Sequence, residues 1–196
     1  SGYETAIEFK RNGVQPIILD TRKDPKSEII DEAKNLGIEI KFSHVVVAAK
    51  GYKKVNSAEI AKISENKNEL GSLENINCDC ICVSGFWTPT IHLASQSGNK
   101  TKFNKDIDAF VPGVSKQNET TLGAANGTFT LEETLKNSFD TGYELSKKIT
   151  NNDNKVSLPI VVEKKSTQHD KFWCVPLPKG KTYKRFLDFQ NDVAVS

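Results

Sequence analysis

Three groups of residues in this 196-residue chain have types and spacings that could do chemistry. The first is an acid at the end of an apolar run. Gln15 to Asp20 reads Q-P-I-I-L-D, and Arg22 follows two residues later. A carboxylate ending a buried parallel strand is where a dinucleotide fold holds an adenosine ribose hydroxyl. The same Asp20 could do no more than cap the strand or start a turn. Arg22 could meet a nucleotide phosphate or be solvated, and we read it first as solvated. The second group is Ser84-Gly85, where the apolar run Ile76 to Val83 meets a turn. Backbone amides face outward at such a strand end, and ligands of open α/β sheets bind there. The third is Gly123-Ala124-Ala125-Asn126-Gly127, read as the turn after a short strand and before a helix starting near Thr130. Small residues let the backbone approach a ligand closely, and a helix start offers unpaired N–H groups to a phosphate. Asp20, Arg22, Ser84, Gly85, Gly123, Ala124, Asn126 and Gly127 are therefore the candidate cofactor-binding residues. No catalytic residue is assigned; His92, alone on a short helix, reads as a packing or capping residue.

Cys78, Cys80 and Cys82 alternate along the predicted strand 76–83 and would share one of its faces. Residues two apart on a strand are badly placed for a disulfide. The C-x-x-C knuckle of a structural zinc site is absent, and no metal is expected. With Cys174, these residues read as reduced thiols packing as small hydrophobes. That usage suits a reducing, cytoplasmic compartment. The 27 basic and 25 acidic residues leave a net charge of +2, which suggests neither a nucleic-acid nor a membrane partner. No run of about 18 apolar residues could span a bilayer, and residues 1–15 lack the apolar segment of a signal peptide.

The elements that must position these groups follow from periodicity. A helix over 3–12 closes at Gly13, a strand over 14–19 ends in Asp20, and a second helix, capped by Ser27, runs to Gly37. Strands follow at 38–42 and 44–49, then a turn at Lys50 to Lys54 and a returning arm over 55–63. Lys50, Lys53 and Lys54 read as a solvated edge that blocks sheet-to-sheet pairing. Residues 64–75 are polar and loop-like, and the buried strand 76–83 follows. Helix 90–97 should bury Ile91, Leu93 and Ala94. Helix 131–149 should turn Leu135, Phe139, Tyr143 and Leu145 inward, with Gly142 packed against another backbone. Residues 150–157 read as a linker, 171–177 as an edge strand broken by Pro176, and 183–195 as the start of a further domain. The first strand of the βαβ unit and its phosphate-binding turn are expected before Ser1.

Several stretches, in order, carry a family resemblance: S-G-Y-E-T-A-I-E-F-K-R-N-G (1–13), I-L-D-T-R (18–22), C-V-S-G-F-W-T-P-T-I-H-L-A-S-Q-S-G (82–98), A-F-V-P-G (109–113), L-G-A-A-N-G-T-F-T-L (122–131) and F-L-D-F-Q-N-D-V (186–193). Together they resemble the alpha subunits of the heterotetrameric sarcosine oxidases. The resemblance implies an internal fragment with an α/β, FAD/NAD(P)-binding Rossmann-like fold similar to the pyridine nucleotide-disulfide reductases, with a truncated C-terminal segment. Residues 1–95 would be the inserted nucleotide-binding-like domain and 96–150 the return of the first dinucleotide-binding domain. Residues 151–196 would be a linker and the start of a following domain. The family implies bound NAD in the alpha subunit, with FAD and FMN held mainly by the partner beta subunit, and gamma and delta subunits completing the complex. The complex implied oxidatively demethylates sarcosine to glycine, yields hydrogen peroxide and passes the one-carbon unit to tetrahydrofolate. The fragment alone would be inactive. The reductases' redox C-x-x-C is missing, so disulfide-reductase activity is not implied. Two other readings stay open: a stand-alone NAD(P)- or FAD-dependent reductase, which needs a G-x-G-x-x-G not found here, and a docking module built on residues 158–196.

Overall fold

Tyr3, Ala6 and Ile7 stand at helical spacing and are the buried face of the first helix, α1 (Gly2–Arg11). The computed structural model describes residues 2–85, 87–150, 157, 158, 161, 172, 174–180, 185–188 and 193–195, the last two runs by backbone alone. It divides into two compact units, Ser1–Ser84 with His169–Ser196, and Gly85–Gln168. The predicted edge strand 171–177 has no assigned strand at its described residues, 172 and 174–177, and most of 150–170 lies outside the described residues.

In the first unit, α1 ends as expected at Gly13, whose φ of +84° suits glycine. The Gly13 N–H donates to the Lys10 carbonyl and the Val14 N–H to the Phe9 carbonyl, closing a Schellman-type cap. Strand β1 (Ile17–Asp20), helix α2 (Glu28–Asn35) and strand β2 (Glu39–Phe42) follow. The strands pair in parallel from Ile17 opposite Glu39 to Asp20 opposite Phe42. Ile30 and Ala33 of α2 pack with Tyr3, Ala6, Ile7 and Ile38 into one apolar cluster, which Ile18, Ile40 and Phe42 adjoin. Ser27 holds the N-cap position of α2, but its side chain makes no capping bond, and its Oγ is buried without a partner.

Three antiparallel strands complete the unit: β3 (His44–Gly51), β4 (Val55–Ile63) and β5 (Leu70–Asn77), with β4 in the middle. Ala58, Glu59, Ile60 and Ala61 are all buried, so both faces of β4 are covered there. Lys50 is not merely solvated: its Nζ lies 2.7 Å from the Glu59 carboxylate and satisfies that buried charge. Ser43 joins the two sheets. Its N–H donates to the Arg22 carbonyl at 3.0 Å, and its own carbonyl accepts from the Ile63 N–H at 2.7 Å. It does so at a φ of +54°, a left-handed value uncommon outside glycine.

Two expectations are corrected here. The polar stretch 64–75 is not all loop, because β5 begins at Leu70. As an edge strand it needs only one ladder, to β4, and tolerates polar, exposed side chains on its surface. The predicted buried strand 76–83 stops at Asn77. Asn77 pairs with Ser57 of β4, the Cys78 N–H makes one more bond to the Asn56 carbonyl, and the chain then bends at Asp79. Cys80 and Cys82, expected in the core, are exposed.

In the second unit, α3 (His92–Gln96) is shorter than the predicted helix 90–97. It buries Ala94 but leaves Leu93 80% exposed. Strands β6 (Thr101–Asn104) and β7 (Ala109–Pro112) form a hairpin, with Phe103 and Phe110 paired edge to face across it at 5.3 Å. A 3₁₀ turn over Gly123–Asn126 leads to α4 (Leu131–Thr150). No residue of α4 is buried, and Leu145, expected inward, is exposed. Gly142 does not meet another backbone: a Cβ there would have no atom within 4 Å. Strands β8 (Arg185–Asp188) and β9 (Val193–Val195) pair antiparallel in the first unit.

Two predictions test this packing. Ser27→Ala should leave stability unchanged or raise it, since no cap is lost and a buried unpaired hydroxyl is removed. Ile30→Ala, at a side chain 1% exposed, should cost about 2–5 kcal/mol. Urea midpoints of both variants check this, and a loss of about 1 kcal/mol in Ser27→Ala would mean that the cap operates. At Ser43, glycine should be tolerated while valine, β-branched at positive φ, should destabilise by about 1–3 kcal/mol. Equal melting temperatures for the two Ser43 variants would contradict this.

Candidate functional site

The carboxyl end of a parallel strand is where the residues with the densest polar contacts gather. Asp20 ends β1 and is 8% exposed. The Tyr3 hydroxyl donates to its Oδ2 at 2.7 Å. The Arg22 backbone N–H donates to Oδ1 at 2.9 Å, Nε donates to Oδ1 at 3.0 Å, and Nη2 donates to Oδ2 at 2.7 Å. A carboxylate offers about four lone-pair directions, so its own chain fills them. Arg22 is therefore not solvated, as first read, but locked in a fork on Asp20 with its side chain 20% exposed.

The electrostatics follow from this geometry. Burial alone would push the Asp20 carboxyl up, but hydrogen bonds from Arg22 and Tyr3 outweigh it and hold the group below its ordinary range. Burial, then the Asp20 carboxylate, push the Tyr3 phenol far above its usual value. The hydrogen bonds to Asp20 raise the Arg22 guanidinium further, so it stays charged throughout.

Tyr3 is the member that sequence reasoning passed over as a core residue. The signal was present in the lengths. A ten-residue helix reverses into a strand, and at about 1.5 Å and 3.3 Å per residue its first turn returns to the level of the strand's end. Its ring fills the core while its hydroxyl reaches a polar partner, the usual arrangement for a buried tyrosine.

Ser84 lies at the same end of the first unit. A Cβ placed on Gly2 would stand 3.2 Å from the Ser84 Cβ, so Gly2 allows the two backbones to close. Asp20, Arg22 and Ser84 thus gather around the first turn of α1. Gly85 opens the second unit, is exposed, and a Cβ there would meet nothing within 4 Å.

Gly123, Ala124, Asn126 and Gly127 lie together in the second unit. No strand precedes them; they form the 3₁₀ turn, with φ of +66° at Gly123 and +82° at Gly127. A Cβ on Gly127 would come within 2.6 Å of Ile107 Cδ1, and one on Gly123 within 3.2 Å of Thr134 Cγ2. Both glycines are therefore required by backbone conformation and packing. The Gly127 and Thr128 N–H groups are already bonded to the Ala124 and Gly123 carbonyls. At the start of α4, Thr130 and Glu133 form a capping box, with the Thr130 hydroxyl 2.9 Å from the Glu133 carboxylate. Glu132 and Glu133 put negative charge in that first turn, which opposes a phosphate there. Ala124 and Asn126 remain exposed on the turn.

Taken one unit at a time, these residues meet the needs of a nucleotide only in part. Ser84, Gly85, Ala124 and Asn126 are open to a ligand, whereas Asp20 must release a donor before it can take a ribose hydroxyl. Among the described residues no group of three or more His, Cys, Asp or Glu could hold a metal ion, and no helix is long and apolar enough to cross a membrane.

Linkage gives a prediction for Asp20. Its folded carboxyl ionises more readily than the unfolded one, so it stabilises the fold above about pH 4 and loses that contribution as the pH falls through its lower folded value. Asp20→Asn should be clearly less stable than the parent at pH 7, with the gap closing below about pH 4. Arg22→Gln, which strands the buried carboxylate, should cost about 3–5 kcal/mol at pH 7. Urea melts from pH 7 to pH 2 check both, and an Asp20→Asn offset independent of pH would count against the linkage.

Comparison with known proteins adds the following. No protein-family model matches the chain. Sarcosine oxidase subunit alpha of Corynebacterium sp. strain P-1 is 24% identical over 202 residues, which is 100% of this chain and 21% of that protein. The subunit of the same name from Rhizobium meliloti strain 1021 is 28% identical over 206 residues, 98% of this chain and 18% of that protein. Among solved structures, thioredoxin reductase of T. acidophilum superposes with a TM-score of 0.45 at 16% identity, over 64% of this chain and 44% of its own. L-proline dehydrogenase from P. horikoshii gives 0.43 at 17%, over 69% and 26%. The chain spans about a fifth of the length of the curated relatives it matches. The resemblance carried by the sequence motifs is thus met by comparison: along its whole length, this chain is similar to a stretch of sarcosine oxidase alpha subunits.

Proposed function

We propose that this chain is the dinucleotide-binding part of a sarcosine oxidase alpha subunit. The observation that carries the reading is the match to alpha subunits of that name along the whole chain. The parallel β1–α2–β2 unit with an acid at its carboxyl end supports it. In this reading the assembled complex oxidatively demethylates sarcosine to glycine, forms hydrogen peroxide and hands the one-carbon unit to tetrahydrofolate in the cytoplasm. The alpha subunit holds NAD, while FAD and FMN reside mainly with the beta subunit, and the gamma and delta subunits complete the heterotetramer. Residues 1–95, 96–150 and 151–196 are then an inserted nucleotide-binding domain, the return of the first dinucleotide domain, and a linker with the start of the next. The chain binds and orients a dinucleotide and does not itself oxidise the amine.

Each candidate residue has a task in this reading. Within the second unit, Ala124 and Asn126 are exposed and leave room for a phosphate; Ser84, at the end of the first unit, is likewise exposed. Gly123 and Gly127 hold the turn in its left-handed conformations. Asp20 takes a ribose hydroxyl by exchange with the Tyr3 hydroxyl, one neutral donor replacing another at Oδ2, while the Arg22 fork stays in place. The docking module read on residues 158–196 falls mostly outside the described residues; a docking role on α4 instead has one observation in its favour, that none of its 20 residues is buried, with Leu131 and Ile149 exposed along it.

The test is made in the full-length subunit. Gly127→Val is a poor probe, because its side chain would collide with Ile107 and Val111 whatever the ligand. Asn126→Asp is better: the residue is exposed, and the change places a negative charge where the pyrophosphate is expected. NAD affinity by calorimetry should fall about tenfold, or about 1.4 kcal/mol, with the melting temperature unchanged. Unaltered affinity in a folded variant would reject this turn as a contact and leave α4 and its surroundings to the docking reading.

A further inference from the structure

The cysteines left over by the functional reading lie just past the end of β5. At Asn77 the strand stops, the chain bends at Asp79, and residues 80–85 and 87–91 have no regular secondary structure. This changes the geometry of the pair at 80 and 82. On a strand the two side chains would be held apart by the extended backbone. Here the Cys80 and Cys82 Sγ atoms stand 3.8 Å apart, and both residues are exposed. A disulfide needs about 2.05 Å, so ring closure asks for a shift of under about 2 Å between two side chains on an unpaired stretch of backbone. Neither residue takes part in the sheet ladder, which ends one bond beyond Asn77, so no strand pairing resists the movement.

We propose that Cys80 and Cys82 form an accessible dithiol that closes to an intramolecular disulfide by exchange with a low-molecular-weight disulfide such as glutathione disulfide. With Cys82 first, its thiolate attacks one sulfur of glutathione disulfide, forming a mixed disulfide at Cys82 and releasing one glutathione thiolate. Cys80 then loses its proton to solvent and attacks the Cys82 sulfur. The mixed S–S bond breaks, the Cys80–Cys82 bond forms, and a second glutathione leaves. The dithiol is oxidised by two electrons and glutathione disulfide is reduced to two thiols. The sulfurs share one contact in which either thiol can donate, so either can be the first nucleophile and the closed product is the same. Cys78, two residues earlier, is only partly exposed and its N–H is tied to the Asn56 carbonyl. It stays at the sheet edge and outside the ring. The site needs no third ligand and no cofactor; it lies two residues before Ser84, and its closure does not depend on a bound dinucleotide.

The full-length subunit serves for the experiment. It is equilibrated in glutathione and glutathione disulfide mixtures of stepped ratio, quenched by alkylation, and mapped by peptide mass spectrometry. The expected product has lost the mass of two hydrogens within the peptide holding Cys80 and Cys82, while Cys78 and Cys174 remain alkylated. In Cys80→Ser the reaction should stop with one glutathione attached at Cys82. Because the argument rests on folded geometry and not on nearness in sequence, the equilibrium constant for closure should drop by about tenfold or more in denaturant, equivalent to about 30 mV. Three outcomes would overturn the proposal: a ring joining Cys78 or Cys174, glutathione accumulating on the parent chain as it does on Cys80→Ser, or equal closure in the folded and unfolded chains.

Discussion

The buried Asp20 carboxylate, shared by Tyr3 and Arg22, is the contact on which the first unit depends. Its hydrogen bonds join three separate stretches of that unit. Tyr3 ties the first turn of α1 to the end of β1. Arg22 folds back onto the same carboxylate and so fixes the turn that leaves the strand. The carbonyl of Arg22 then takes the Ser43 N–H, and the carbonyl of Ser43 takes the N–H of Ile63. One polar path therefore runs from the helix through the parallel pair to the middle strand of the antiparallel sheet. A buried charge is costly unless every lone pair is met. That requirement sets the geometry of the turn and holds Ser43 in a backbone conformation it would not otherwise choose.

The same saturation limits what the site can do. In a dinucleotide fold the acid ending the second strand is free to receive a ribose; here it is engaged by its own chain. In the proposed reading a ribose would compete with Tyr3 for that carboxylate, and binding would couple to the position of α1. The glycines of the second unit tell a similar story. Gly123 and Gly127 look like a backbone cleared for a phosphate, yet side chains of Thr134, Ile107 and Val111 fill the space beside them. Ala124 and Asn126, between them, are exposed. Small residues are needed both where a ligand approaches and where the protein's own side chains do, and spacing alone does not distinguish the two.

Much of the local architecture was legible in the residue order. Gly13 and Gly37 stop their helices at positive φ, and Thr130 with Glu133 three residues on marks the start of α4. The parallel pair, the turn at Lys50 to Lys54 and the acid at the end of β1 were also readable. Each of these is decided by interactions spanning a few residues, such as a cap, a left-handed turn or an alternating apolar face. The motifs that link the chain to sarcosine oxidase alpha subunits belong to the same class, being properties of residue order.

Only the tertiary structure decided where strands stop and what meets the polar groups. The apolar run 76–83 looked like core, but the ladder to β4 ends with the Asn77–Ser57 pair and one further bond from Cys78, and the chain bends away at Asp79. Its cysteines pass from core to surface for that reason alone. The polar run from Leu70 becomes a strand because an edge has one ladder to fill and one side left to water. Asp20 changes from an open acceptor to a saturated one because Tyr3, 17 residues away, reaches it. Partners distant in the chain are set by the packing of whole elements, and a local pattern carries no record of them.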